Sequence, residues 1–436
     1  MKGSLALLPI LLGAAAAASA QNMPAGYGPN PAMPAPVHAL IPTLNVAPTE
    51  PWPKGTHPAA ASGLAVSEYA SGLDHPRNVY VLPNGDVLVA ETNRPEAASE
   101  KEKKNLRNLV QKHEQKKAGA GVASANRITL LRGLKPDGSA AMKTVFLEGL
   151  NSPYGMVLVG NDLYIADADA LVRFPYKAGE TKIAEQGKEV LALPAGLNHH
   201  WTKNVVAGPD GKKLYVSVGS NSNIVENGME AEFQRASVWE YDIASGKGRV
   251  YATGLRNPAG LAINPQSHVL WASVNERDEI GNDVPPDYMT SVKEGGFYGW
   301  PYSYWGQHVD SRVKPQQPDM VAKAIVPDYG LGAHTASLGL AFYDAGLMPQ
   351  FRNGALVGQH GSWNRKPFAG YKVIFVPFTD GKPSGPPQDV LTGFLSKDGH
   401  AYGRPVGVAV DKAGAILVAD DVGNRIWRVT PARSNN

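Results

Sequence analysis

The sequence predicts an all-β protein, a six-bladed β-propeller with a charged helical insertion in its first blade. Three features predict it. One local pattern returns six times, its copies span most of the chain, and strand-like runs at the two ends of the patterned region can close a ring. Each copy has an apolar approach, a turn containing Pro or Gly, and a short β-rich run. The first passes from Gly72 through Asn84-Gly85 to Val87-Leu88-Val89-Ala90, and the second from Gly149 through Asn161 to Leu163-Tyr164-Ile165-Ala166. The third turns at Gly208-Pro209-Asp210-Gly211 before Leu214-Tyr215-Val216, and the fourth runs from Leu255-Arg256-Asn257-Pro258 to Leu270-Trp271-Ala272. The fifth joins Leu338-Gly339-Leu340 to Ala355-Leu356-Val357, and the sixth joins Arg404-Pro405-Val406 to Ile416-Leu417-Val418.

The equivalent positions Leu88, Tyr164, Tyr215, Trp271, Leu356 and Leu417 are 76, 51, 56, 85 and 61 residues apart. The shortest interval suits four strands and their turns, so the longer ones carry insertions. Closure is expected between Leu64-Ala65-Val66 and Arg425-Ile426-Trp427-Arg428-Val429, which protects two edge strands. The propeller is assigned to residues 59–432, with an insertion over 95–125. Within it, residues 95–117 are dense in Lys, Glu, Asn and Gln, with Leu106, Leu109 and Val110 at helical spacing. This reads as a solvated helix, with a docking element for a partner as the alternative.

Ahead of the propeller, Lys2, the apolar run Leu5 to Ala16 and Ala18-Ser19-Ala20 read as a signal peptide over residues 1–20, cleaved near Ala20. The expected location is therefore periplasmic or secreted, with no membrane span in the mature protein. Residues 21–58, rich in Pro and Ala, read as an extended arm. Hydrophobic residues make up 43% of the 436 and charged residues 19%, which excludes a disordered chain. A net charge of +3 argues against a nucleic-acid binder. With no cysteine, disulfides, thiolate metal sites and cysteine nucleophiles are excluded, and a metal must use oxygen or histidine ligands.

A propeller carries its site at one end of the central channel, on loops from several blades. Five stretches there bear chemistry. His199 and His200 precede the third blade's core strand; either imidazole suits a general base, and strand alternation predicts that only one faces the channel. Arg256 and Asn257 lead into the fourth blade, where a guanidinium fork can bind carboxylates or an oxyanion. The acidic run Glu276-Arg277-Asp278-Glu279, continuing to Asp283, follows that blade's core strand and offers oxygen ligands for Ca²⁺, or forms a solvated loop. His360-Gly361-Ser362-Trp363-Asn364-Arg365-Lys366 follows the fifth blade's strand, and Arg404 leads into the sixth. Arg256, Arg365 and Arg404 thus come from three blades and are expected to converge on an anionic ligand.

Together, Leu255 to Ala262, the loop from Glu276 to Asp283, Gly296-Phe297-Tyr298-Gly299-Trp300-Pro301, His360 to Arg365 and Gly403 to Ala409 resemble the glucose/sorbosone dehydrogenase family. These are soluble quinoproteins that use pyrroloquinoline quinone (PQQ), and the L-sorbosone dehydrogenase-like branch resembles the chain most. The resemblance spans roughly residues 67–430 and implies a six-bladed propeller holding PQQ and Ca²⁺. It implies oxidation of the anomeric carbon or aldehyde of an aldose or sorbosone-like osone, with electrons passing to an external acceptor. The family's catalytic His stands eight residues before the Gly of a Gly-Pro-Asp turn, which places it at His200. Arg256 and Asn257 would contact the quinone, Arg404 would hold PQQ, and Arg365 or Lys366 would replace a family Lys. Calcium ligands would fall on Glu276, Asp278, Glu279 and Tyr298. A further PQQ-binding Arg of the glucose enzymes is Val406 here. The rival readings are a Ca²⁺-dependent lactonase-type propeller and a non-enzymatic binding propeller.

Overall fold

A computed structural model describes residues 23–37, 43–95, 113–114, 116–119 and 121–433. The signal-peptide reading and most of the expected insertion helix lie outside these residues. At the described end of that insertion, residues 113–114 and 116–117 are helical, and the Ala118 amide donates to the Glu114 carbonyl at 3.0 Å.

Six antiparallel four-strand blades follow one another around a ring. Blade 1 comprises Pro76–Val81, Val87–Glu91, Arg127–Leu134 and Ala140–Glu148; blade 2 comprises Gly155–Val159, Asp162–Ala166, Ala170–Pro175 and Lys188–Ala192. Blade 3 takes Val205–Ala207, Lys213–Val218, Ser237–Asp242 and Lys247–Thr253; blade 4 takes Gly260–Ile263, Leu270–Val274, Pro286–Ser291 and Tyr329–Ala333. Blade 5 takes Ser337–Tyr343, Gly354–Gln359, Lys372–Thr379 and Gln388–Thr392. Blade 6 joins Pro405–Val410, Ile416–Asp420 and Arg425–Pro431 to Leu64–Ser71 from the front of the domain. That last pairing, Val66 opposite Val429, is the expected closure.

The six equivalent residues fall one in each blade's second strand. These strands are buried on both faces because each blade is sandwiched between two others. In blade 5, Ala355 and Val357 pack with Trp271 and Tyr329 of blade 4, while Leu356 packs with Val408 and Trp427 of blade 6. The core is accordingly divided among the interfaces between successive blades. At the starts of the first strands of blades 2, 4, 5 and 6, Tyr154, Ala259, Leu338 and Val406 form a small apolar cluster of their own. The long intervals are explained by residues 92–126, between the second and third strands of blade 1, and residues 292–328, between the third and fourth strands of blade 4.

Strand order places two kinds of loop on one face of the ring: those leading into a blade's first strand and those joining its second and third strands. All five chemical stretches sit on such loops. The arm crosses the same face and adds edge strands, Tyr27–Gly28 beside Tyr329–Ala333 and Ala59–Ala60 beside Gln388–Thr392. No described helix is long and apolar enough to cross a membrane.

Candidate active site

A cavity of about 200 Å³ opens on that face. Its wall includes His199, His200, Asp278, His334, His360, Asn364 and Arg404, together with Leu44 and Val46 of the arm. Blades 3, 4, 5 and 6 all contribute.

His200 is seated by its surroundings. Its Nδ1 lies 2.9 Å from both the Ser220 carbonyl and the Ser220 hydroxyl oxygen. That hydroxyl donates to the Ser222 carbonyl at 2.7 Å, so it can only accept from the ring. Nδ1 therefore carries the proton and Nε2 keeps its lone pair. Burial, then the Arg256 cation and His199, hold the imidazole well below its ordinary value. Residue 219 must be glycine here, because a Cβ would lie 2.5 Å from the His200 Cβ. The segment carrying His199 and His200 is irregular rather than a strand, so both rings line the cavity and meet edge-to-face at 4.8 Å. The alternation argument fails because it presumes a pleat that does not form.

Two further imidazoles line the wall. His334, on the loop leading into blade 5, faces Asp278 Oδ1 at 3.3 Å through Nδ1 and the Gly281 carbonyl at 2.7 Å through Nε2. Both partners accept, which suits an imidazolium; burial lowers its pKa, but the Asp278 carboxylate raises it further. His360 Nε2 stands 2.8 Å from Asp421 Oδ2, and its Nδ1 makes no hydrogen bond among the described residues. Sequence reasoning missed His334 and gave His360 no role. His334 does occupy a loop leading into a blade, where the other candidates were sought.

Of the three arginines expected to converge, only Arg404 reaches the cavity. Its Nη2 donates to the Ala47 carbonyl at 3.2 Å, its guanidinium lies 4.9 Å from the Tyr371 ring centre, and its buried Nε has no partner. Arg256 is buried outside the wall and binds the chemical loop from behind. It donates to the Glu276 carbonyl at 2.7 Å, Asn223 Oδ1 at 2.9 Å and Asp278 Oδ2 at 3.4 Å. Arg365 ties loops of blades 4 and 5 together through the Asn282 carbonyl at 2.9 Å and Asp283 at 2.6 Å. The Lys366 side chain is exposed outside the wall, and Asn257 is buried beneath it with Oδ1 unpaired.

The four expected calcium ligands also do not gather. Asp278 faces the cavity, whereas Glu276 is buried behind it, where burial raises its carboxyl to about 7. Glu279 pairs with Arg312 at 3.3 Å, and the Tyr298 hydroxyl donates to the Ser291 carbonyl at 2.6 Å. No three His, Asp or Glu side chains among the described residues surround a common point suited to a metal ion.

The TrAA12-like family profile matches residues 138–294 and 307–432, which is more than half of the chain. The chain belongs to the TrAA12-like family. The glucose/sorbosone dehydrogenase profile also matches residues 240–362, which bears out the resemblance read from the motifs there. The chain is 28% identical over 230 residues to a pyrroloquinoline quinone-dependent pyranose dehydrogenase of Coprinopsis cinerea, covering 42% of this chain and 31% of that protein. It is 30% identical over 125 residues to the aldose sugar dehydrogenase YliI of Escherichia coli, covering 28% and 29% respectively. The alignments therefore take in less than a third of either relative. The holo PQQ domain of the Coprinopsis enzyme superposes with a TM-score of 0.68 at 21% identity, over 88% of this chain and all of that domain. A calcium structure of the Trichoderma reesei family AA12 protein gives 0.68 at 18% identity, over 89% and 99%. For this TrAA12-like chain, the two superpositions establish the shared propeller.

Proposed function

We propose that this protein is an exported quinoprotein dehydrogenase, using PQQ and Ca²⁺ to oxidise the anomeric carbon or aldehyde of an aldose or sorbosone-like osone. The observation that carries the reading is the cavity's pairing of a neutral His200, its Nε2 free, with Arg404, whose buried Nε has no partner. An orphaned guanidinium N–H fits a ligand bearing carboxylates, as PQQ does. The PQQ-dependent relative and the holo PQQ-domain neighbour support the choice.

In this reading Arg404 holds a carboxylate of the cofactor, and the arm residues Leu44 and Val46 help exclude water. PQQ, when bound, supplies an electrophilic quinone carbonyl that accepts a hydride. His200 Nε2 accepts the hydroxyl proton of a lactol or hydrated aldehyde. Arg256 positions Asp278 and the backbone of residues 275–276 rather than touching the substrate. Asp278 is the carboxylate of the expected calcium set that faces the cavity, so it is the protein group that would hold Ca²⁺. Among the described residues no further His, Asp or Glu side chains close a calcium cage around it. Electrons leave to an external acceptor.

Purified, EDTA-treated protein titrated with PQQ and Ca²⁺, with a dye acceptor and a panel of aldoses and osones, tests this. Dye reduction is expected only when both are added, and His200→Ala is expected to lower kcat by about 10²–10⁴-fold. Lactone hydrolysis without quinone would overturn it.

A further inference from the structure

His200 and His360 offer two free imidazole nitrogens to one cavity, in opposite electrostatic settings. While the Ser220 carbonyl accepts from Nδ1 of His200, the charged and imidazole groups acting on its ring are Arg256, His199 and Lys203. A proton on its Nε2 is disfavoured by all of them. His360 is backed by a carboxylate, Asp421, at 2.8 Å. Asp421 is completely buried and is also held by Arg77 at 2.6 Å, while His75 stands 3.7 Å away. Because the carboxylate only accepts, His360 Nε2 carries hydrogen and Nδ1 is left as the acceptor. The side chain keeps 20% of its surface exposed and lines the cavity.

We propose that His360, oriented by Asp421, is a second catalytic base of this site and the residue on which the substrate's proton comes to rest. The inference rests on the sugar-oxidation reading above. The substrate O–H bond breaks, and His200 receives the proton and passes it on. An N–H bond forms at His360 Nδ1, and the C–H electron pair would be taken up as hydride by the quinone when it is bound. One proton moves and no further oxidant is needed. Asp421 stabilises the resulting imidazolium, the task a buried carboxylate performs behind a catalytic histidine. Burial, then Arg404 on the same blade as Asp421 and Arg77 on blade 1, with His75 beside it, lower the His360 pKa from its ordinary value, and Asp421 opposes them. Across the cavity stand His199 and His200 of blade 3, Asp278 of blade 4, His334 on the loop leading into blade 5, and Glu114 of the blade-1 insertion. Asp421 is the carboxylate in direct contact with the ring.

The test uses the PQQ- and Ca²⁺-loaded full chain. A base must be neutral to accept a proton, so activity falls as pH drops through its pKa. Asp421→Asn removes the charge that favours imidazolium. It should shift the acidic limb of kcat/KM to lower pH and lower the plateau about tenfold or more. His360→Gln should lower the plateau about 10²-fold and abolish that limb, with PQQ affinity, followed by tryptophan fluorescence, unchanged. Independently of turnover, the His360 ring followed by NMR without cofactor should titrate at lower pH in Asp421→Asn. An active His360→Gln enzyme with an unchanged pH profile would overturn the proposal, as would an unshifted His360 titration. Absence of dye reduction by the unaltered loaded protein would overturn the sugar-oxidation reading instead.

Discussion

Asp278 is half-buried, its side chain 14% exposed, and its carboxyl is held at about 2. Burial opposes ionisation, but His334, Arg256 and Asn364 all donate to its two oxygens and outweigh it. A carboxylate whose folded pKa lies below its unfolded value stabilises the fold above the unfolded value, near pH 4. That contribution is lost as pH falls toward 2. The shift corresponds to about 2 kcal/mol. Asp278→Asn is therefore expected to cost about that much at pH 7 and little near pH 2. Urea unfolding at the two pH values measures the difference; equal losses at both would show that the charge contributes nothing. Residue identity alone did not reveal this. Asp278 and Glu279 are adjacent acids in the sequence, but one faces the cavity and the other pairs with Arg312.

At the scale of elements, the arm is a structural part of the site. Asn45 donates its amide to the Trp363 carbonyl at 2.8 Å and its Nδ2 to the Arg365 carbonyl at 2.7 Å, which lays Leu44 and Val46 along the cavity wall. The arm is anchored by Trp52, buried with its ring centre 5.8 Å from Phe394, 5.3 Å from Tyr402 and 5.3 Å from Trp427. Its Nε1 donates to Asp420 at 2.9 Å. Trp52→Ala is expected to cost about 3–5 kcal/mol, from lost packing plus an acceptor stripped of one donor. Limited proteolysis should then cut within residues 43–58 faster than in the unaltered protein. Unchanged cleavage would mean that the edge pairing of Ala59–Ala60 suffices to hold the arm. The composition of residues 21–58 predicted an extended segment, but not which face it crosses, because Pro- and Ala-rich sequence carries no periodicity that records a partner.

For the whole molecule, a ring of blades is held by interfaces between neighbours and by one closing pair, while the loops of one face carry the polar groups. Ligand binding at that face should stabilise the entire ring, since any ligand that binds only the folded state adds RT ln(1 + [L]/Kd). PQQ and Ca²⁺ together at a hundredfold excess over Kd are expected to add about 2.7 kcal/mol, read as a rise in Tm. Ca²⁺ alone is expected to add less, because the side chains of the described residues form no closed cage for it. An equal rise with Ca²⁺ alone would locate a metal site independent of the quinone.

The sequence by itself determined the ring. Six second strands need apolar residues on both faces, and that demand is written locally, as short runs such as Leu214-Tyr215-Val216 behind Gly-Pro-Asp turns. It also determined the face on which the chemistry sits, because the motifs fall on loops of fixed place in a four-strand blade. Only the tertiary structure decided which side chains meet. Arg256, Arg365 and Arg404 belong to equally suggestive motifs, yet two of the guanidiniums bind loop carbonyls and one faces the cavity. His334 and His360 lie 134 and 160 residues from His200, and the blades bring them to the same wall. The direction of a long side chain from an irregular loop is set by the hydrogen-bond partners that other blades present, and no local spacing encodes those.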